Sequence, residues 1–313
     1  MTDVPGISPL PYTFLGPEGT FTESALLLVP AAADAQRVPS TNAASALSMV
    51  RRGEAFAAML PIENSIEGGV PATLDAISNG VELRILHEVV VPVSFVLVAK
   101  DGVRLEDITD VGTHPHAWAQ TRDWFGEHLP HAAHVATNST AAAAYELLGA
   151  APTFQGAVCA SLVAQRTGLK VLAAGIEDNT GAVTRFVLVG GSEFLPEPTG
   201  ADKTTLSIPL PEDRPGALMD ILEQFASRGV NLSRIESRPT GQFLGHYNFS
   251  IDVDGHIRDA RVADAVRGLR RVSPGIRFLG SYPRADQQAP LIRPYDSDEV
   301  FAEADAWVQS LLR

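Results

Sequence analysis

The segment that most restricts how this chain can fold is an apolar run, LRILHEVVVPVSFVLVAK, over residues 83–100. It is too long for one ordinary strand, and it is interrupted at Pro92, whose ring cannot donate to a sheet ladder. The run fits two strands that carry the chain out of one sheet and into another. A return is expected near 172–187, where KVLAAGIED and then TRFVLVGG bring the chain back. Between and around these crossings, YTFLG, FAAMLPIEN, DVGTH, HVATN and GAVCA read as strands. Helical patterns follow them: from about Thr22 through the Ala/Leu run, over VPATLDAISNG, and over 115–128, 139–148 and 161–167. Strand and helix alternating in this way argue for a parallel α/β sheet. The expected domain over 10–190 has two lobes, one at about 10–87 and 175–190, the other at about 88–174, with a cleft between them.

The pattern then changes. Residues 191–202 are rich in Gly and Pro without periodicity and read as a linker. Over 203–283 the order is strand (TTLSIPL), helix (GALMDILEQFASRG), two strands (VNLSRIESRP, GHYNFSIDVDG), helix (RDARVADAVRGLRRV) and strand (GIRFLGSYP). That is the βαββαβ order of an α+β, ferredoxin-like module. The tail, 284–313, ends in one amphipathic helix with apolar residues at 300, 304, 307, 308 and 311 and a D-x-x-E box at Asp296 and Glu299.

Composition excludes several function classes. A net charge of −13 argues against sequence-independent nucleic-acid binding, although a local pocket can still be positive. The single cysteine, Cys159, rules out an intrachain disulfide and a cysteine-based zinc site. His128, His131 and His134 are spaced suggestively, but Pro130 breaks the helix that would align them. The N-terminus has no signal-peptide pattern, and Val89–Ala99 is too short to span a bilayer, so the expectation is a cytoplasmic protein.

Five stretches gather polar groups where open α/β sheets bind ligands, at strand ends and helix starts. In GPEGTFTESA, Thr20 and Glu23 have capping-box spacing, and Thr20 and Thr22 flank the turn; this is a ligand seat or simply a tight turn. PIENSIEGG places Glu63, Asn64 and Ser65 directly after a strand. NSTAAAA offers Ser139 and Thr140 as an N-cap or a carboxylate seat, and THPHAWAQ is similar. GAVTRFVLVG opens with Thr184 and Arg185 where a buried strand favours Val or Ile; Thr184 and Phe186 share one face and Arg185 takes the other. Together they suit a cleft for a compact carboxylate, with neither cofactor nor metal.

In this order, GPEGTFTESA, PIENSIEGG, STAAAA and NTGAVTRFVLVG resemble prephenate dehydratase, and RPGALMDILEQFASRGVNLSRIESRPT resembles the phenylalanine-binding ACT domain that follows it in many members. The resemblance implies a two-lobed, periplasmic-binding-protein-like (type II) catalytic domain and a cytoplasmic lyase that makes phenylpyruvate from prephenate, with arogenate dehydratase as the alternative. It implies a catalytic role for Thr184 at the departing hydroxyl, with Phe186 packing the pocket floor and Arg185 bracing the strand mouth. Glu63 would act as an acid or orient Asn64 and Ser65, while Ser139, Thr140 and the turn at Thr20 and Thr22 would seat the pyruvyl carboxylate. In the ACT module it implies a phenylalanine site at Gly216, Ala217 and Leu218, Asn231 and Leu232, and Glu236, Ser237, Arg238 and Pro239. Such sites lie between paired modules, which implies a homodimer or homotetramer. Relatives often carry Gln where this chain has His116, and two Asn where it has Gly181 and Ala182.

Overall fold

The computed structural model describes residues 9–210, 212, 214–239 and 247–312. In chain order the first elements are β1 (Tyr12–Leu15), α1 (Phe21–Leu27), α2 (Pro30–Ala33), β2 (Arg37–Ser40), α3 (Ala43–Arg51), β3 (Ala57–Asn64) and β4 (Gly68–Gly69). Next come α4 (Pro71–Ser78), β5 (Leu83–Pro92), β6 (Val96–Ala99), β7 (Asp110–Thr113), α5 (Pro115–Ala119) and α6 (Arg122–His128). They are followed by β8 (Ala133–Ala136), α7 (Thr140–Leu147), β9 (Gly156–Cys159), α8 (Ser161–Thr167), β10 (Lys170–Ala174) and β11 (Val183–Gly191). The last are β12 (Asp202–Pro209), α9 (Ala217–Ala226), β13 (Leu232–Pro239), β14 (Tyr247–Asp254), α10 (Ala260–Val272), β15 (Arg277–Pro283) and α11 (Asp298–Leu311).

One sheet runs β2-β1-β3-β11-β5, with β4 paired to β3, and a second runs β10-β6-β9-β7-β8. The chain passes from the first to the second at Pro92 and returns between β10 and β11, so the long apolar run does split into two strands. Each sheet is sealed by helices because its strands bury both faces: Tyr12, Phe14, Met59 and Leu60 in the first, and Leu97, Val98, Ala157 and Val158 in the second. The alanines of α7 are small enough to lie flat on β9, where Ala141, Ala143 and Ala144 are all inaccessible.

Several local expectations are corrected. Between the first helix and residue 56 lie two elements that the sequence pattern does not announce, β2 and α3. β2 (RVPS) is short and carries Pro39, and only Ser40 is buried, so it has no apolar alternation to read. The first helix stops at Leu27, and Pro30 starts a separate turn of helix. The sheets are mixed rather than parallel, since β6 runs antiparallel to both β9 and β10. The helix expected over 115–128 is two helices, because Gln120 caps the first and Thr121 starts the second. Neither capping box forms: Thr20 and Ser297 stand at the helix starts without a side-chain bond to the first-turn amides, and Asp296 is paired with Arg293.

Packing divides the chain into two compact units, one of residues 7–70 and 89–186, the other holding 71–88 with 187–313. In the second unit the sheet order is β13-β14-β12-β15, all antiparallel, the arrangement expected for βαββαβ. Leu206, Ile208, Ile251 and Val253 face α9 and α10 in one apolar core. The opposite face is polar yet buried. There Thr205 Oγ1 donates to Asp252 Oδ1 at 2.7 Å, and Arg234 bonds the same carboxylate at 2.9 and 3.3 Å.

Residues 71–88 lie against this sheet. Lys203 Nζ meets the buried Glu88 carboxylate at 2.8 Å, and Arg238 binds both oxygens of Asp75 at 2.9 and 3.3 Å. Gly280, at φ 130°, lets β15 approach β5 so closely that a Cβ there would lie 2.9 Å from Ile85 N.

Candidate active site

A cavity of about 380 Å³ lies between the two sheets of the first unit. That volume suits a small molecule. Thr184 and Phe186 come from the start of β11, Asn64 and Glu67 from the β3–β4 hairpin, and Thr20, Phe21 and Thr22 from the start of α1. His114, His116, Ala117 and Gln120 enter from α5, and Asn138, Ser139 and Thr140 from the start of α7. Pro61, Val93 and Phe95 complete an apolar wall, with Phe21 set edge-on to Phe95 at 5.6 Å.

The polar geometry is specific at Thr184. Asn64 Oδ1 accepts from the backbone N–H groups of Ile66 (2.9 Å) and Glu67 (3.2 Å), which fixes the amide's orientation. Its Nδ2 therefore faces Thr184 and donates to Oγ1 at 2.9 Å. The threonine oxygen is thus an acceptor in this bond, and its own proton is left for another partner. Ser65 reinforces the arrangement from outside the cavity lining: its N–H donates to Val183 O (2.9 Å) and its Oγ accepts from Val183 N (3.0 Å). Together these bonds clamp the hairpin to the first residue of β11. Arg185 points to the other strand face, is buried, and lies 3.3 Å from Glu63.

Of the residues expected from the sequence, the cavity lining gathers Thr20, Thr22, Asn64, Ser139, Thr140, Thr184 and Phe186. Glu63, Ser65 and Arg185 support it from behind. Ser139 caps α7, accepting from Ala142 N at 2.9 Å. The sequence pattern points neither to the apolar wall nor to two polar lining residues, Glu67 and Gln120. Glu67 bonds His116 Nδ1 at 2.7 Å. Gln120 Oε1 is buried and has no hydrogen-bond partner among the described residues, which is a costly state unless a ligand donates to it. The signal for Gln120 was the spacing of four from His116, which puts both on one face of α5. Burial, together with the neighbouring His116, holds the His114 imidazole below its ordinary pKa of 6.5, which favours the neutral ring.

Two of the three regularly spaced histidines stack on indole rings, His134 on Trp118 and His128 on Trp124. Among the described residues no group of three or more His, Cys, Asp or Glu is placed to hold a metal ion, and no helix is long and apolar enough to cross a membrane.

In the second unit a separate hollow of about 250 Å³ is lined by Glu212, Arg214, Ala217, Asp220, Ile221 and Val272. Gly216, at φ 85°, turns the chain into α9 beside it, and Leu218 is packed against the core. Of the nine residues expected around an amino acid there, only Ala217 is among its lining. Asn231 Nδ2 donates to Asp254 Oδ2 (2.7 Å), Glu236 sits 3.4 Å from Arg234, and Arg238 is engaged with Asp75. Leu232 begins β13 and packs on the core; Ser237 and Pro239 are exposed on it.

These features define an α/β domain of two sheets with a hydroxyl- and amide-lined cleft, followed in the chain by a ferredoxin-like antiparallel sheet. The prephenate dehydratase family model matches residues 12–193, and the ACT domain model matches 204–271. A prephenate dehydratase of Amycolatopsis methanolica is 44% identical over 301 residues, covering 96% of this chain and 97% of its own. The crystal structure of prephenate dehydratase in complex with L-Phe from Arthrobacter aurescens is 63% identical, covers 97% of this chain and 99% of that one, and superposes with a TM-score of 0.93. The quorum-quenching acylase GqqA is 31% identical with a TM-score of 0.78, covering 87% of this chain and 97% of its own. The chain belongs to the prephenate dehydratase family of hydro-lyases and carries a C-terminal ACT domain.

Proposed function

We propose that the cleft binds prephenate and converts it to phenylpyruvate, carbon dioxide and water, with residues 10–190 as the catalytic part, 191–202 as linker and 203–283 as the regulatory part. The observation that carries this reading is the Asn64–Thr184 bond. Because Asn64 donates to Oγ1, the hydroxyl proton of Thr184 is directed away from the amide and is available to the hydroxyl leaving the substrate ring. As the ring carboxylate departs, its bonding electrons complete the aromatic ring and push out the hydroxyl, which takes up a proton and leaves as water. A threonine is a weak acid, so its contribution is a hydrogen bond that strengthens as charge builds on the departing oxygen.

The apolar wall of Phe21, Val93, Phe95 and Phe186 suits the ring and its carboxylate, since strong solvation of that carboxylate would oppose decarboxylation. Ser139, Thr140, Thr20 and Thr22 offer hydroxyls to the pyruvyl carboxylate. Gln120 Oε1 accepts from a substrate donor, and prephenate has one, its ring hydroxyl. Glu63 and Arg185 act as a pair that braces the strand.

An acylase would need a nucleophile in reach of a base. Among the described residues, no cavity hydroxyl is hydrogen-bonded to His114 or His116, which favours the lyase reading.

Phenylalanine regulates the enzyme in this reading, bound near Gly216–Leu218 and the edge of β13. Two regulatory modules pairing along that edge, where Ile235 is exposed, would make the dimer, acting in the cytoplasm. The test is phenylpyruvate formation from prephenate, read by its alkaline absorbance, with and without phenylalanine. Turnover suppressed by phenylalanine supports both halves. Turnover of arogenate alone changes the substrate, and no turnover of either removes the reading.

A further inference from the structure

Glu23 is the residue whose sequence-based role, a helix cap, fails most clearly. Its side chain is 3% exposed, and both carboxylate oxygens are used. Oε2 accepts from Gly19 N at 2.7 Å and from Arg166 at 2.6 Å, while Oε1 accepts from the second arm of Arg166, also at 2.6 Å. The two partners belong to different lobes. Glu23 lies on α1, which packs on β1 and β3, whereas Arg166 lies on α8, which packs on β6 and α7. Beside the ion pair the lobes touch directly: a Cβ on Gly19 would come within 2.6 Å of Val163 Cγ2 on α8. Between Gly19 and Glu23 lie Thr20, Phe21 and Thr22, all three in the cavity lining.

We infer that the Glu23–Arg166 pair is a positioning device for the reaction, holding the 20–22 turn against the opposite lobe and so setting the shape of the cleft around the substrate. A two-toothed guanidinium–carboxylate pair is directional as well as strong, so it fixes orientation where a single charge contact would not. Glu23 also holds the turn itself through Gly19 N, so one carboxylate ties turn shape to lobe separation. Without Arg166 the buried carboxylate is left with Gly19 N and with Arg37 at 3.8 Å, both on its own lobe, and the low-energy response is for the lobes to part and admit water. The consequence falls first on substrate binding, because the seat is assembled from both lobes. Surface pairs such as Arg52–Glu54, with both side chains about half exposed, have no such leverage.

This inference rests on the lyase reading, and the experiment separates the two. The parent's turnover of prephenate tests the reading; the ratio of variant to parent tests the pair. Glu23→Gln keeps an acceptor for Gly19 N and removes the charge, Arg166→Gln removes the other partner at a less buried position, and Arg166→Lys keeps a charge without the fork. The expected result for either Gln variant is KM raised about tenfold with kcat within about threefold, and phenylpyruvate binding weakened in parallel by calorimetry. Arg166→Lys should recover part of the loss, and Arg52→Gln should match the parent. A lowered melting temperature with KM unchanged in the variants that fold would overturn the inference, leaving the pair as a stabilising contact only. A parent-like KM in Arg166→Lys would overturn the geometric argument, because a single charge contact would then suffice.

Discussion

Replacing Thr184 with alanine tests the proposed chemistry most directly. The substitution removes the hydroxyl that Asn64 Nδ2 orients at 2.9 Å and leaves the fold of β11 otherwise intact, since the flanking strand residues Phe186–Val189 are buried by their own apolar contacts. A hydrogen bond that strengthens in the transition state is worth about 3 kcal/mol when a single donor is deleted. With about 1.4 kcal/mol for each factor of ten, kcat should fall by about two orders of magnitude. KM should change little, because a neutral hydrogen bond in the ground state contributes only about 1 kcal/mol. Thr184→Ser keeps the oxygen and the Asn64 bond and should retain most of the activity. Initial rates of phenylpyruvate formation measure both variants, and melting curves show whether the fold is retained. A kcat for Thr184→Ala within threefold of the parent, with the protein folded, would sink the assignment of the hydroxyl. So would equal losses in the alanine and serine variants.

Asn64→Leu should lower kcat about tenfold with a smaller effect on KM, since it removes the orienting donor but leaves the hydroxyl; steady-state kinetics at saturating substrate measure it. Gly280→Val should destabilise the protein by about 3 kcal/mol, because a side chain meets the backbone of Ile85 in a conformation that L-residues avoid; a melting temperature equal to the parent's would refute the close approach. Burial lowers the pKa values of His87 and His114 from 6.5, so both favour the neutral form in the folded state. Their contribution is complete above that unfolded value and is lost as the pH falls through the lowered ones, so thermal stability should decline on that limb. Replacing both with Gln should flatten it. Phenylalanine at about a hundredfold excess over its dissociation constant should stabilise the folded state by about 2.7 kcal/mol, seen as a raised melting temperature; no shift would count against a bound amino acid.

Much of the architecture was legible because it rests on periodicity. The Pro92 break, the strand–helix alternation and the βαββαβ order all follow from where apolar residues recur. The cleft stretches were legible too, because small hydroxyls and amides at strand ends have few other reasons to cluster. What could not be read was partnership across long separations. Glu23 carries the spacing of a cap, but its partner lies 143 residues away, and nothing local announces an arginine on another lobe. Arg238 sits in a stretch that resembles an amino-acid seat, yet its guanidinium is engaged with Asp75, 163 positions earlier. Strand direction was misjudged at β6 because alternation reports burial and is blind to which way a neighbour runs.

The stretch from Pro71 to Glu88 belongs by sequence to the matched dehydratase region but by packing to the sheet that follows it. Heredity and mechanics therefore draw their borders in different places. A chain cut after residue 193 would retain every residue of the cleft, yet it would strip Lys203 from Glu88 and bare the backbone of Ile85 that β15 covers. The excised piece would carry a raw edge shaped to receive the module it had lost. Two such halves supplied as separate chains have a surface already cut for finding each other again.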